Sequence, residues 1–114
     1  IALTTDTSNL TAIGNDYGFD AVFSRQVEAL ARPGDVFVGI STSGNSANII
    51  AAVNEARTQG IASIALLGRD GGRLESLADM AVVVPHQVTA RIQEAHIFIL
   101  HHWADVIERT VAQK

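Results

Sequence analysis

The apolar positions of the chain follow two periods. Val36–Ile40, Ile61–Leu67 and Met80–Pro85 are short aliphatic runs bounded by turn residues. Such runs predict strands buried on both faces of a parallel sheet. Ile1–Thr5 has the same character and is predicted as a further, leading strand. Elsewhere the spacing is helical. Phe19, Val22, Phe23, Val27 and Leu30 predict a helix over residues 19–30. Ile49, Ile50, Val53 and Ala56 predict another over Asn48–Gln59, with Gly60 as its C-cap. Leu74–Ala78 fits a short helix, and Arg32-Pro33-Gly34-Asp35 a turn. Asp6–Gly18 is polar and contains glycine, with a short helical stretch at Leu10–Ile13.

The pattern changes from about Thr89. Ile92, Ala95, Ile99, Trp103, Val106 and Val111 recur near the helical period to the end of the chain. They predict one helix roughly 30 Å or more long. A helix of that length on a small domain packs against something further. Strands alternating with helices predict an α/β fold with a parallel sheet covered on both faces.

The chain's 114 residues fit one domain, and an apolar share of 47% against 18% charged is enough for a core. Net charge is −4, which disfavours nucleic acid or an anionic membrane as partner, because phosphates are neutralised by surplus Lys and Arg. The absence of Cys excludes a disulfide framework and a cysteine zinc site and fits a cytoplasmic protein. No apolar run approaches the roughly 20 residues of a spanning helix.

Three places carry chemistry. The first is Gly39-Ile40-Ser41-Thr42-Ser43-Gly44-Asn45-Ser46, after a strand and before a helix. The C-terminal edge of a parallel sheet is where α/β proteins bind ligands. A helix N-terminus supplies unpaired N–H groups, here joined by the hydroxyls of Ser41, Thr42, Ser43 and Ser46. The loop reads either as a phosphate cradle without Lys or Arg, or as a plain turn with Ser46 as N-cap. It is neither a nucleotide P-loop nor a dinucleotide-binding glycine motif. The second place is Asn15-Asp16-Tyr17-Gly18. Its polar side chains suit sugar hydroxyls if the loop faces the same pocket, and otherwise make a solvated turn. The third is the last helix, with Gln93, His96, His101 and His102 as acid–base or metal-binding candidates, or as ordinary packed and surface residues. The histidine spacings are not the i, i+4 pair that clamps one zinc on a helix. His86, beyond Pro85, reads as a plain loop residue.

The order of these motifs resembles the SIS-domain (sugar isomerase) phosphoheptose isomerases. The matching residues are Ala2-Leu3-Thr4-Thr5-Asp6, Leu10–Asp16, Gly34-Asp35-Val36, Ile40–Ser46, Gly68-Arg69-Asp70-Gly71-Gly72 and Ala90–His96. The serine loop is shared across the superfamily; the Asn-Asp segment and the Arg-Ile-Gln-Glu helix together are narrower. The resemblance implies a three-layer α/β/α SIS fold, with residues 1–114 a single partial SIS domain. It also implies conversion of sedoheptulose 7-phosphate to a manno-heptose 7-phosphate in bacterial heptose and lipopolysaccharide-precursor synthesis. By position, Ser41, Thr42, Ser43 and Ser46 hold substrate, mainly its phosphate, and Asn15 and Asp16 contact the sugar. Gln93 contacts substrate or a metal, and His101 is an acid–base residue or a zinc ligand. Homotetramers are typical, and some members carry zinc.

Against that family, the N-terminal helices, a Gly-Asn-Gly-Gly-Ser loop and a helix bearing a His and the second catalytic residue, a Glu, are expected to lie outside this chain. Gln93 and His101, eight positions apart, stand about 12 Å apart along one straight helix, so any shared metal is expected to take them from different subunits. Two other classes share the fold: a non-catalytic relative that binds the replication initiator, and a sugar-phosphate sensor attached to a DNA-binding module.

Overall fold

The computed structural model describes residues 1–113. Helix α1 spans Thr7–Tyr17; a 3-10 turn at Phe19–Ala21 leads into α2, Ser24–Leu30. Then come β1 (Val36–Ser41), α3 (Ala47–Thr58), β2 (Ala62–Gly68), α4 (Gly72–Leu77), β3 (Met80–Val84) and α5 (Thr89–Ala112). The three strands are parallel in the order β1-β2-β3. Ser41 stands beside Leu67 in the register, so all the strand C-termini meet at one edge.

Side chains on a strand alternate between faces, and the core follows that alternation. Phe37, Ala65, Leu67, Ala81 and Val83 share one face and pack under Ile50 and Val53 of α3 and Leu74 of α4. A second cluster joins Val27 of α2 to Ala52, Ala56 and Ile61, with Leu3 and Phe23 against it. On the other face, Leu66 is fully buried but Val36, Val38 and Ile40 stay exposed. Gly68 belongs to that second face, and a Cβ there would meet Ile92 of α5 at 2.5 Å. The helix therefore covers the sheet at the end of β2 and leaves β1 open. Coverage on both faces, expected from the alternation of elements, holds only over part of the sheet within this chain.

Ser63 and Asp79 pin β2 to the start of β3. The Asp79 carboxylate accepts from the Ser63 amide (2.8 Å) and hydroxyl (2.7 Å), and the Asp79 amide donates to Ser63 Oγ (3.1 Å). The Ser63 hydroxyl and amide, followed by the charge of Arg57, hold the Asp79 carboxyl below its ordinary value.

Three expectations are corrected in the first thirty residues. Ile1–Thr5 is not a strand: it forms a turn with Ile1 fully exposed. A strand needs a paired edge, and here Leu3 only packs against the second cluster and its carbonyl accepts from Gln26 Nε2 (3.0 Å), a side chain rather than a neighbouring strand. The polar stretch that follows is a full helix rather than a loop with one helical turn. Asp6 caps it by accepting from the Asn9 amide at 3.0 Å, and no residue of α1 is buried. The helix expected over 19–30 is interrupted, because Phe19–Ala21 winds as a 3-10 turn before α2 begins. α5, by contrast, is one continuous helix of 24 residues. Its second half, including Val106, Ile107 and Val111, is largely exposed.

Candidate functional site

The loop between β1 and α3 is built by contacts that leave a helix start free. Ser41 ends β1 and is buried, and its Oγ lies 2.8 Å from Ser46 Oγ. Ser46 occupies the N-cap position of α3 in extended conformation, yet its side chain makes no capping bond. The plain-turn reading therefore has the right position and the wrong bond, since the hydroxyl that would cap α3 is turned toward Ser41. Ile49 N is taken by Asn48 Oδ1 at 2.8 Å, which leaves the Ala47 and Asn48 amides of the first turn without an acceptor among the described contacts. Unclaimed N–H groups at a helix start, with hydroxyls beside them, suit an anionic oxygen.

A second segment clamps the loop. Gly44 O accepts from Leu74 N (3.0 Å), and Asn45 Oδ1 accepts from Arg73 N (3.1 Å) while its Nδ2 donates to Ser43 O (2.9 Å). The Arg73 and Leu74 amides at the start of α4 are thus spent on the serine loop, whereas the Ala47 and Asn48 amides of α3 are not spent. This close approach requires glycine. Gly44 has φ +67°, and a Cβ on it would overlap the Gly71 carbonyl. A Cβ on Gly72 would meet Asn45 Nδ2 at 2.6 Å and Ser43 O at 2.7 Å. Arg69 holds the only left-handed φ of a non-glycine residue among those described, +56°, in the same turn. Neither Asn45 nor the Gly71-Gly72 pair was assigned a role from sequence, although glycines flanking a turn after a strand end were the available signal.

The remaining predicted residues stand apart from the loop. Asn15 and Asp16 are exposed on the last turn and a half of α1, not in a loop, and Asn15 Nδ2 donates to Asp16 Oδ1 at 3.0 Å. Gln93 and His101 are exposed on α5. Ser46 and Asn48 line one end of a cleft of about 780 Å³ that runs along the open edge of β1 past Val36, Val38 and Leu3. None of Asn15, Asp16, Gln93 and His101 lines it. His86 is exposed, its Nδ1 accepting from Val88 N (2.9 Å). His96 is buried against β2, where its Nε2 lies 2.8 Å from Leu67 O.

A zinc ion does not fit the donors of one chain. Among the described residues no three His, Asp or Glu side chains gather. Unbroken α5 keeps Gln93 and His101 about 12 Å apart along its axis, against metal–ligand bonds of roughly 2 Å. No helix of the described residues is long and apolar enough to cross a membrane.

A parallel sheet with a hydroxyl-rich loop at its C-terminal edge, running into an uncapped helix, defines an α/β domain with a candidate anion-binding edge. The SIS domain family model matches residues 1–68, and the chain belongs to that family. Its relatives narrow the class. It is 60% identical over 111 residues to a phosphoheptose isomerase of Sulfurimonas denitrificans, covering 97% of this chain and 57% of that protein. It is 60% identical over 114 residues to the phosphoheptose isomerase of Citrifermentans bemidjiense, covering 100% of this chain and 59% of the relative. Among solved structures, phosphoheptose isomerase from Neisseria gonorrhoeae superposes with TM-score 0.91 at 61% identity, over 94% of this chain and 61% of that one. The Francisella tularensis enzyme gives 0.92 at 43% identity, over 96% and 59%. The chain thus spans somewhat under two thirds of the length of the relatives it matches.

Proposed function

We propose that the protein carrying this chain isomerises sedoheptulose 7-phosphate to D-glycero-D-manno-heptose 7-phosphate. The observation that carries the reading is the uncapped start of α3 beside Ser41, Thr42, Ser43 and Ser46, in a chain 60% identical to phosphoheptose isomerases. The phosphate end of the sugar would sit on the Ala47 and Asn48 amides and the loop hydroxyls. A neutral-donor cradle suits an acidic chain, because the helix start supplies its positive end without Lys or Arg. Asn15, Asp16 and Gln93 would meet the sugar.

The reaction moves a carbonyl by one carbon. A base removes a proton from C1 of the ketose, giving an enediol. A proton is returned to C2, and another passes from the C1 oxygen to the C2 oxygen. His101 is the group of this chain suited to one of these transfers, because imidazole gives and takes protons near neutral pH. Exposure of His101 and Gln93 on α5 fits a site completed by residues outside this chain and by other subunits of a homotetramer. A zinc shared by Gln93 and His101 would draw on two different subunits.

The test is turnover of sedoheptulose 7-phosphate by full-length protein, with His101→Ala alongside, with and without added zinc. Turnover that falls by about 10²–10⁴-fold in the variant is the expected result for a lost acid–base group. Intact protein without turnover under either metal condition contradicts the reading. Binding without turnover would mark a sensor, and capture of the replication initiator an interaction protein.

A further inference from the structure

The mechanism leaves one buried titratable side chain unused. His96 is 2% exposed, three positions after Gln93 and five before His101 on α5. Its Nε2 lies 2.8 Å from the Leu67 carbonyl oxygen. A carbonyl only accepts, so Nε2 carries a proton and donates. Among the described side chains Nδ1 is the one buried polar atom with no partner.

The place of this bond matters more than its existence. Leu67 stands beside Ser41 in the sheet register, and Ser41 is the residue whose hydroxyl meets Ser46 at the foot of the serine loop. The next residue, Gly68, is where α5 makes its close approach. A Cβ there would meet Ile92 Cδ1 at 2.5 Å and Thr42 O at 2.6 Å. Ile92 and His96 are the only buried residues of α5, four positions apart on one helix face. The apolar contact at Ile92 sets how deep the helix lies but is non-directional. The hydrogen bond at His96 is directional and fixes rotation and slide. Gln93 lies between the two anchors.

We propose that His96 is a positioning residue: its Nε2–H···O=C bond to Leu67 fixes α5 against the serine-loop edge and so sets where Gln93 and His101 stand relative to the bound phosphate. This rests on the isomerase reading for its kinetic consequence, but not for its structural one. Loss of the bond leaves the phosphate cradle itself untouched, so substrate affinity is held while the reacting end is misplaced. A misplacement near 1 Å costs up to roughly a hundredfold in rate.

The test compares His96→Leu, which keeps apolar volume and loses the donor, with His96→Gln, whose Nε2–H₂ can reach the same carbonyl. Both are made in full-length protein. For His96→Leu the expected result is kcat down by roughly ten- to a hundredfold with KM within about threefold of wild type. His96→Gln is expected to restore most of kcat. Amide exchange over residues 89–101 is expected to quicken in the Leu variant and not in the Gln variant, whether or not the protein turns over. Unchanged kcat in folded His96→Leu overturns the proposal, as does equal loss in both variants. If His96→Leu does not fold, the Gln variant and the ring ¹⁵N shifts of wild-type His96 decide: an Nε2 without a proton, or a Gln variant whose kcat is down by roughly ten- to a hundredfold, overturns it. A wild-type protein without turnover defeats the isomerase reading alone, and the exchange data then judge His96.

Discussion

Replacing Gly44 by alanine attacks the serine loop at the point where two backbones touch. Gly44 sits at φ +67°, and an L-residue held there costs roughly 1 kcal/mol or somewhat more. The added Cβ would also overlap the Gly71 carbonyl, a backbone atom that no rotamer change can move. The loop and the start of α4 must then separate. That separation stretches Leu74 N→Gly44 O (3.0 Å) and Arg73 N→Asn45 Oδ1 (3.1 Å). Each is a bond worth about 1 kcal/mol. The predicted total is about 3 kcal/mol, or a melting temperature lower by roughly 6–12 °C in a protein of 150–250 residues. Thermal unfolding followed by circular dichroism measures it. The same variant is expected to bind inorganic phosphate more weakly, because the hydroxyls of Ser43 and Ser46 lose their fixed spacing. An alanine variant within about 0.5 kcal/mol of wild type, the range of an ordinary surface change, would mean that the loop does not need the Gly44–Gly71 approach.

Other outcomes follow from the same contacts. Asn45→Ala removes the acceptor for Arg73 N and the donor to Ser43 O, and is expected to cost about 1–2 kcal/mol in chemical denaturation. Steady-state kinetics should show KM rising more than kcat falls, because the cradle loosens while the reacting groups stay. Gly68→Ala forces a Cβ against Thr42 O and Ile92 and is expected to cost about 1–3 kcal/mol, with Ile92→Val in the same chain recovering part of it. Asp79 is held below its ordinary value of 3.8 by Ser63, so it contributes stability that is present above that value. That contribution is lost as pH falls through the lowered value. In urea titrations the gap between wild type and Asp79→Asn should therefore narrow below about pH 3.8 and stay constant above it; a gap that widens in acid would contradict the assignment.

Much of the fold was legible where burial decides. Val36–Ile40 and Ile61–Leu67 became strands within a residue of their predicted ends, and Ile49, Ile50, Val53 and Ala56 face the core or its rim as their spacing requires. The Ile92 periodicity predicted α5, and continuity of that helix supports the premise that Gln93 and His101 are far apart. The failures lie where tertiary context decides. Ile1–Thr5 is apolar enough for a strand, but strand formation depends on an edge to pair with, which composition does not report. α1 buries nothing, so no apolar period could reveal it; the signal was instead Asp6 placed to cap Asn9. The serine loop was found by residue type. Its clamp was not, because Gly44 meets Gly71 and Asn45 meets Arg73 only after two strands align, and Ser46 looked like a cap until Ser41 was placed beside it.

The start of α3, with the serine loop, is proposed to hold the phosphate of a sugar phosphate. The direct measurement is an amide NMR titration of full-length protein with sedoheptulose 7-phosphate and, separately, with unphosphorylated sedoheptulose. The phosphate ester is expected to shift the Ala47 and Asn48 amides strongly, and the free sugar to leave them in place. Saturable binding of the ester with those two amides unmoved would contradict that assignment.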